Sequence, residues 1–385
     1  MSGYDYVIAG GGAAGLSLAY HLVQSDLNAA SILIVEKDAK DRNDRTWCSW
    51  VRSPTVFDEI VYHRWSRLAF ISDDFRRSFD LGDYCYQMIR GIDFYRFTRE
   101  RLSNAPNVTF ARGVVERVRD GAGCGEVWVD GVVHKGRWVF DSILQPQDLQ
   151  RDPLRYHYIQ QHFLGWEIES EVDCFDPEEA TLFDFRTPQK GGMRFCYVLP
   201  FSPRHALVEY TLFTADLLQK EEYVAGLKTY IEEVLGITTY RVLSEESGVI
   251  PMTDQPLARR NGLRILHIGT KGGRVKPSTG YAFTRILQDS QAIVDSLVSR
   301  RHPFALPAGS WRYRWFDSAL LQILYRHGEL SKPIFTALFR NNPIDRIFRF
   351  LDETGSWREN LLLTTSLPPW PFIRAVVKLA FLRRV

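Results

Sequence analysis

Three glycines at the start of the chain, Gly10-x-Gly12-x-x-Gly15, have the spacing that cradles a dinucleotide pyrophosphate. The first permits a tight turn, the second lets backbone approach the phosphates, and the third lets a helix pack closely on a strand. The apolar run Tyr4 to Ala9 precedes them and a helical run follows, so Ala13 and Ala14 sit where helix N–H groups face an anion. Glu36 ends the next apolar run and is placed to bind a ribose diol. Its charge repels a 2′-phosphate, so the expected nucleotide is NAD- or FAD-like, not NADP. A second chemistry is expected at Glu209, in Ala206-Leu207-Val208-Glu209-Tyr210-Thr211-Leu212-Phe213. Strand periodicity puts it on one face with Leu207, Thr211 and Phe213. Burial among apolar neighbours raises a carboxyl pKa, as a general acid working near neutral pH requires. Asp184 shares a strand face with Leu182 and Arg186, where it either orients a proton relay or pairs with Arg186. Glu167 and Glu169 are weaker acid candidates.

Those residues need a β–turn–α–β unit to hold them, and the pattern supplies one: strands at 4–9 and 31–36 around a helix at 16–24. Further short strands are expected at 107–110, 114–118, 126–129 and 137–140, before a polar, Pro-punctuated crossover at 142–155. Strands at 182–186, 193–199 and 206–213 read as antiparallel, followed by a helix at 215–235. Arg264 to Gly269 reads as a buried strand leading into a Gly-rich loop, Gly269 to Gly280, and a helix at 283–299. The remainder is helical and rich in aromatics.

With 48 basic and 46 acidic side chains the net charge is +2, which gives no support to a nucleic-acid surface. Apolar residues at 45% and charged residues at 24% exclude a disordered chain. Cys48, Cys85, Cys124, Cys174 and Cys196 form no CxxC pair and no zinc-spaced cluster, so reduced thiols and no metal are expected. The uncharged run from Tyr6 to Ser25 lacks a basic flank and holds four glycines, so it reads as neither signal peptide nor membrane span. Aromatics at 13% imply either a π-lined cavity or an apolar surface.

The loop Gly269 to Gly280 resembles the late motif of flavoprotein hydroxylases, which wraps the ribityl chain and flavin ring; Thr270 stands where those enzymes have Asp. More specifically, residues 4–290 resemble the bacterial lycopene cyclases of the β-cyclase group. Six segments carry this: Gly10 to Gly15, Asp44-Arg45-Thr46-Trp47-Cys48-Ser49-Trp50, Ile92-Asp93-Phe94-Tyr95, Gln161-His162-Phe163-Leu164-Gly165-Trp166, Asp184-Phe185-Arg186, and Gly273 to Tyr281. Many such relatives have His where Lys276 stands, so no role of that ring carries over.

The resemblance implies an α/β flavoprotein with a Rossmann-like FAD domain (1–150 and 245–300), an antiparallel substrate sheet (155–245) and a helical C-terminal cap (301–385). It implies redox-neutral conversion of lycopene ψ-ends to β-ionone rings, with reduced FAD beside the cation and NAD(P)H serving only as reductant. Glu209 falls where the family carries its essential Glu. The implied cofactor residues include Arg45, Gly269, Gly273, Thr279 and Gly280. Aromatic faces stabilise cations, which makes Trp47, Trp50, Phe163, Trp166, Phe185 and Tyr210 candidate cavity walls. Two rival readings remain: an FAD-dependent monooxygenase on an apolar substrate, and a carotenoid-binding carrier without catalysis. Reduced thiols point to the cytoplasm, and the insoluble substrate implies peripheral contact with the inner face of the cell membrane. The basic amphipathic segment from Trp370 to Arg384 fits either that contact or docking on the protein body. Oligomeric state is not indicated.

Overall fold

The structure is a computed structural model that describes residues 3–152 and 154–382. The fold is α/β with mixed sheets and a helical C-terminal region. The first sheet runs Arg260–Asn261, Ile265–His267, Val132–Asp141, Tyr4–Ala9, Ile32–Glu36, Val108–Arg112, with Val115–Asp120 and Gly125–Val129 branching from it. Its central pairs are parallel: Tyr6 lies opposite Ile32, Ala9 opposite Asp141, and Asp141 opposite His267. Parallel strands covered on both faces have to be apolar throughout, and Val7, Ile8, Ala9, Ile32, Leu33, Ile34 and Val35 are fully buried. Helices Ala13–Val23 and Phe283–Arg300 share the core on one face through Leu16, Ala19, Ile286 and Ile293. Because Ile265–His267 lies parallel beside Val132–Asp141, the late Gly-rich loop emerges at the same sheet edge as the first one. There a Cβ on Gly269 would touch that of Ala14.

The second sheet has seven strands in the order Tyr240–Thr253, Tyr158–Ser170, His205–Thr214, Met193–Ser202, Glu179–Asp184, Arg67–Ser72, Phe75–Asp80. Residues 67–80 and 245–253 therefore belong to this sheet by their pairing, although the expected domain boundaries place both with the nucleotide-binding part. Met193–Ser202 is buried along eight consecutive residues, as a strand covered on both faces must be. Its register slips at Pro200, which cannot donate to a ladder. Thr46–Val51, Cys85–Arg90 and His63–Trp65 form a small third sheet between the other two.

The helix expected at 215–235 is Lys220–Thr229, started by reciprocal Gln219 and Glu222 caps and continued by one π-turn, Tyr230–Val234. Helices Trp311–His327, Ser331–Asn341 and Ile344–Leu351 pack into the core of the second sheet. Phe70 stacks on Phe339 at 4.6 Å, and Phe183 meets Phe335 at 5.1 Å. Each buried aromatic stabilises by about 1.5–3 kcal/mol, so these helices are a structural wall of the sheet. Among the described residues no helix is long and apolar enough to cross a membrane.

Candidate active site

At the first Gly-rich turn, Gly10 has φ +105° and its N–H donates to the Val35 carbonyl at 2.9 Å. A side chain on Gly15 would collide with the Gly10 carbonyl oxygen, so the third glycine is fixed by packing. A Cβ on Gly12, by contrast, would meet nothing within 4 Å. Gly12 caps the helix Ala13–Val23 without any side-chain bond to its first N–H groups, which face a cleft of about 460 Å³. Glu36 accepts from the N–H of Gly11 at 2.7 Å and of Asp38 at 3.0 Å, which holds its carboxylate at this turn.

Gly12, Ala13, Ala14, Arg45, Gly269, Thr279 and Gly280 line that one cleft. Gly273 lies beyond it, with φ +70°. Thr279 Oγ1 and Gln161 Oε1, at the cleft, are buried without a hydrogen-bond partner. Such orphans mark a missing ligand group. Open space over Gly12, free helix N–H groups and two orphan polar atoms fit a dinucleotide of the FAD type.

Glu209 fronts the same cleft from the second sheet, with Leu207 beside it and Tyr197 opposite. It is half-buried because it lines open space, yet protein surrounds it on every other side. Burial, then the nearby Glu246 carboxylate, raise its pKa well above the usual carboxylate range; the Thr211 hydroxyl, donating at 2.5 Å, offsets this in part. Glu209 is therefore biased toward its protonated form. The cleft walls near it are Trp47, Cys48, Tyr86, Phe163, Tyr197 and Tyr281. Burial pushes the Cys48 thiol and the Tyr86, Tyr197 and Tyr281 hydroxyls up, so all four stay uncharged.

Trp47 and Phe163 thus sit in the cleft, while seven other expected wall or acid residues do not. Tyr210 and Trp166 point to the opposite face of the sheet, against helix Lys220–Thr229. Tyr210 directly follows Glu209, so strand alternation forces it away. Phe185 is packed among Phe70, Phe183 and Phe335. Asp184 is fully buried on the far face, ion-paired to Arg186 at 2.7 Å and accepting from Tyr230 Oη at 2.8 Å. That geometry removes it from any relay to the cleft. Trp50 is core, stacked on Phe348 at 4.6 Å. Glu167 and Glu169 are held by His205 and Arg241. Arg45 lines the cleft but donates to the Asp44 carbonyl at 2.6 Å, while the Asp44 carboxylate takes Tyr95 and Lys40.

Glu246, Tyr86 and Tyr197 were not legible as site residues. Gly165 in the middle of a strand was the available signal, since a strand glycine marks close approach of neighbours. Lys276 is 2% exposed, held by Asp317 at 3.1 Å and Glu353 at 3.1 Å; Ser278 and Arg285 complete the network.

A family profile described as "Lycopene cyclase protein" matches residues 5–377. The chain belongs to the lycopene cyclase family. It is 22% identical to the lycopene beta-cyclase of Pantoea ananas over 97% of both chains. It is 25% identical to the chloroplastic lycopene beta cyclase of Arabidopsis thaliana, over 76% of this chain and 60% of that one. Such plant members are thus matched over about three-fifths of their length. Among solved structures, a probable FAD-dependent monooxygenase from Pseudomonas aeruginosa superposes with TM-score 0.60 at 18% identity, over 88% of this chain and 100% of that one. A geranylgeranyl bacteriochlorophyll reductase-like protein from Thermoplasma acidophilum does so with TM-score 0.59 at 13% identity, over 98% and 96%. These two share the fold of this lycopene cyclase family member.

Proposed function

We propose that this chain is a flavin-dependent carotene cyclase that closes the ψ-ends of lycopene into β-ionone rings, with Glu209 as its catalytic acid. One observation carries the reading: the Glu209 carboxyl, whose pKa burial raises, fronts an aromatic cleft that also opens on the dinucleotide turn. Glu209 gives its proton to the terminal double bond. The neighbouring alkene attacks the resulting cation and closes the ring, and a ring proton then returns to the carboxylate. No net electrons or atoms are exchanged. Trp47, Phe163, Tyr86 and Tyr197 present π faces where the cation forms. They also exclude water that would trap it. Gly12, the following helix N-terminus, Arg45 and Thr279 would hold FAD. When bound in its reduced form, with NAD(P)H as reductant, FAD would supply negative charge to stabilise the cation.

The outer face of helix Pro369–Leu382 supports lipid contact at the cytoplasmic side of the membrane. Trp370 (71% exposed) and Phe381 (69%) stand out with Ile373 and Val377, beside Arg374 and Lys378, while Ala375 and Leu379 turn inward. An apolar face with cations suits an anionic lipid surface. Arg383 and Arg384 lie outside the described residues.

The decisive test is anaerobic incubation of the purified protein, reduced FAD and lycopene in liposomes, with chromatography of the carotenes. A ring-closed product without stoichiometric NAD(P)H consumption is expected. A requirement for O₂ would make the protein a monooxygenase, and unchanged lycopene would leave only a carrier.

A further inference from the structure

Gly165, in the strand Tyr158–Ser170, lies directly opposite two acidic residues: Glu209 on one neighbouring strand and Glu246 on the other. A Cβ on Gly165 would come within 3.4 Å of Glu209 Cγ and 3.3 Å of Glu246 Cγ. The glycine therefore leaves a gap in the middle strand across which the two side chains meet. Glu246 Oε2 accepts from the Thr46 hydroxyl at 2.6 Å. Its Oε1 is buried without a donor, and the acidic neighbour across the Gly165 gap is Glu209. Neither carboxyl has an ion-pair partner within 4 Å among the described residues. Two carboxyl groups facing one another are both acceptors unless a proton lies between them, and like charges at that range do not both ionise.

We propose that Glu209 and Glu246 form a carboxyl pair sharing one proton, with Glu246 the positioning residue that returns Glu209 to its protonated form after each ring closure. This rests on the cyclase reading. Only Glu209 lines the cleft, so Glu246 acts through it. When Glu209 protonates the substrate, one C–H bond forms and the pair is left with two negative charges. Their repulsion makes Glu209 a stronger base than a lone carboxylate, so the ring C–H proton is drawn back to it. One proton leaves the pair and one returns, so a second ring can close without exchange with water. The other groups facing the pair do not supply that proton. Cys48, Tyr197 and Tyr281 are held neutral by burial. Arg45 and Glu167 act on Glu246 in opposite directions.

The test compares wild type, Glu246→Gln and Glu209→Gln by infrared pH titration of the purified protein without carotene, and by the pH profile of cyclisation. Wild type is expected to show a protonated-carboxyl band that persists above pH 7 and is absent in Glu209→Gln. In Glu246→Gln the amide donates to Glu209 and one charge is gone, so the band titrates at least about one pH unit lower. The alkaline limb of the activity profile moves with it. Glu246→Asp, keeping the carboxyl, restores part of the shift. An unchanged Glu209 titration in Glu246→Gln overturns the pair. The infrared experiment needs no turnover, so a protein that fails to cyclise lycopene still tests the pair.

Discussion

The indole of Trp47 lies stacked on the ring of Phe283, with centroids 5.0 Å apart and planes 14° from parallel. Trp47 lies in the first strand of the small sheet, just after Arg45, and Phe283 opens the helix that follows Gly280; both line the cleft. Trp47→Ala is expected to cut cyclisation at least tenfold and to cost about 2–4 kcal/mol of stability, as aromatic-to-alanine changes do. Trp47→Phe should keep most of both. Turnover and urea unfolding measured on the same preparations check it.

Glu209→Gln removes the transferable proton while keeping shape. Loss of a general acid lowers rate by about 10²–10⁴-fold. Flavin affinity, read by fluorescence quenching, should stay within about twofold, because Glu209 reaches the cleft from the second sheet and not from either Gly-rich segment. Full activity in this variant would end its assignment as the acid.

Burial and the Glu246 charge raise the folded pKa of Glu209 above its unfolded value of about 4.3. Between those two values the folded chain binds more protons than the unfolded one, so stability falls as pH rises. The contribution is fully present below about pH 4.3 and is lost progressively up to the raised pKa. Cyclisation is expected to follow the same group and to fail on the alkaline side. Urea unfolding at pH 5.5 and 8 should show Glu209→Gln gaining on wild type with rising pH; a pH-independent difference would contradict the buried neutral carboxyl.

The second and third glycines of the first turn should fail differently. A methyl on Gly15 strikes the Gly10 carbonyl oxygen, so Gly15→Ala lowers the melting temperature of the flavin-free protein. A side chain on Gly12 meets no protein atom but projects into the space assigned to the pyrophosphate. Gly12→Val is therefore expected to leave the flavin-free melting temperature within about 2 °C and weaken flavin binding more than tenfold.

Trp370→Ser with Phe381→Ser removes two exposed apolar side chains from the last helix. Co-sedimentation with anionic vesicles should drop several-fold while the melting temperature is unchanged. Binding equal to wild type would place the lipid contact elsewhere.

The first turn could be read from the sequence because its geometry is local: Tyr4–Ala9 and the glycines lie within a dozen residues. Glu209 was readable for the same reason, since the alternation of its own strand fixes its face. What lies opposite it was not. Glu246 stands 37 positions away on a strand whose exposed, mixed pattern hid its role, and only the pairing register brings it to Gly165. Tyr210 and Trp166 were misplaced because proximity in sequence to a site residue means the opposite face in a strand. Phe185 and Trp50 were misplaced because an aromatic in a motif segment looks the same whether it lines a cavity or fills a core.

The buried ammonium of Lys276 dictates an order of assembly. Its loop closes the flavin-facing edge of the first sheet, yet its two carboxylate partners, Asp317 and Glu353, come 41 and 77 residues later. Leaving such a charge without either partner costs about 3–5 kcal/mol. As the chain leaves the ribosome, the nucleotide-binding half cannot reach its final state until the sequence through Glu353 has emerged. The helical C-terminal region is thus not an appendage to the nucleotide-binding half: it carries the carboxylates that let its late Gly-rich loop close.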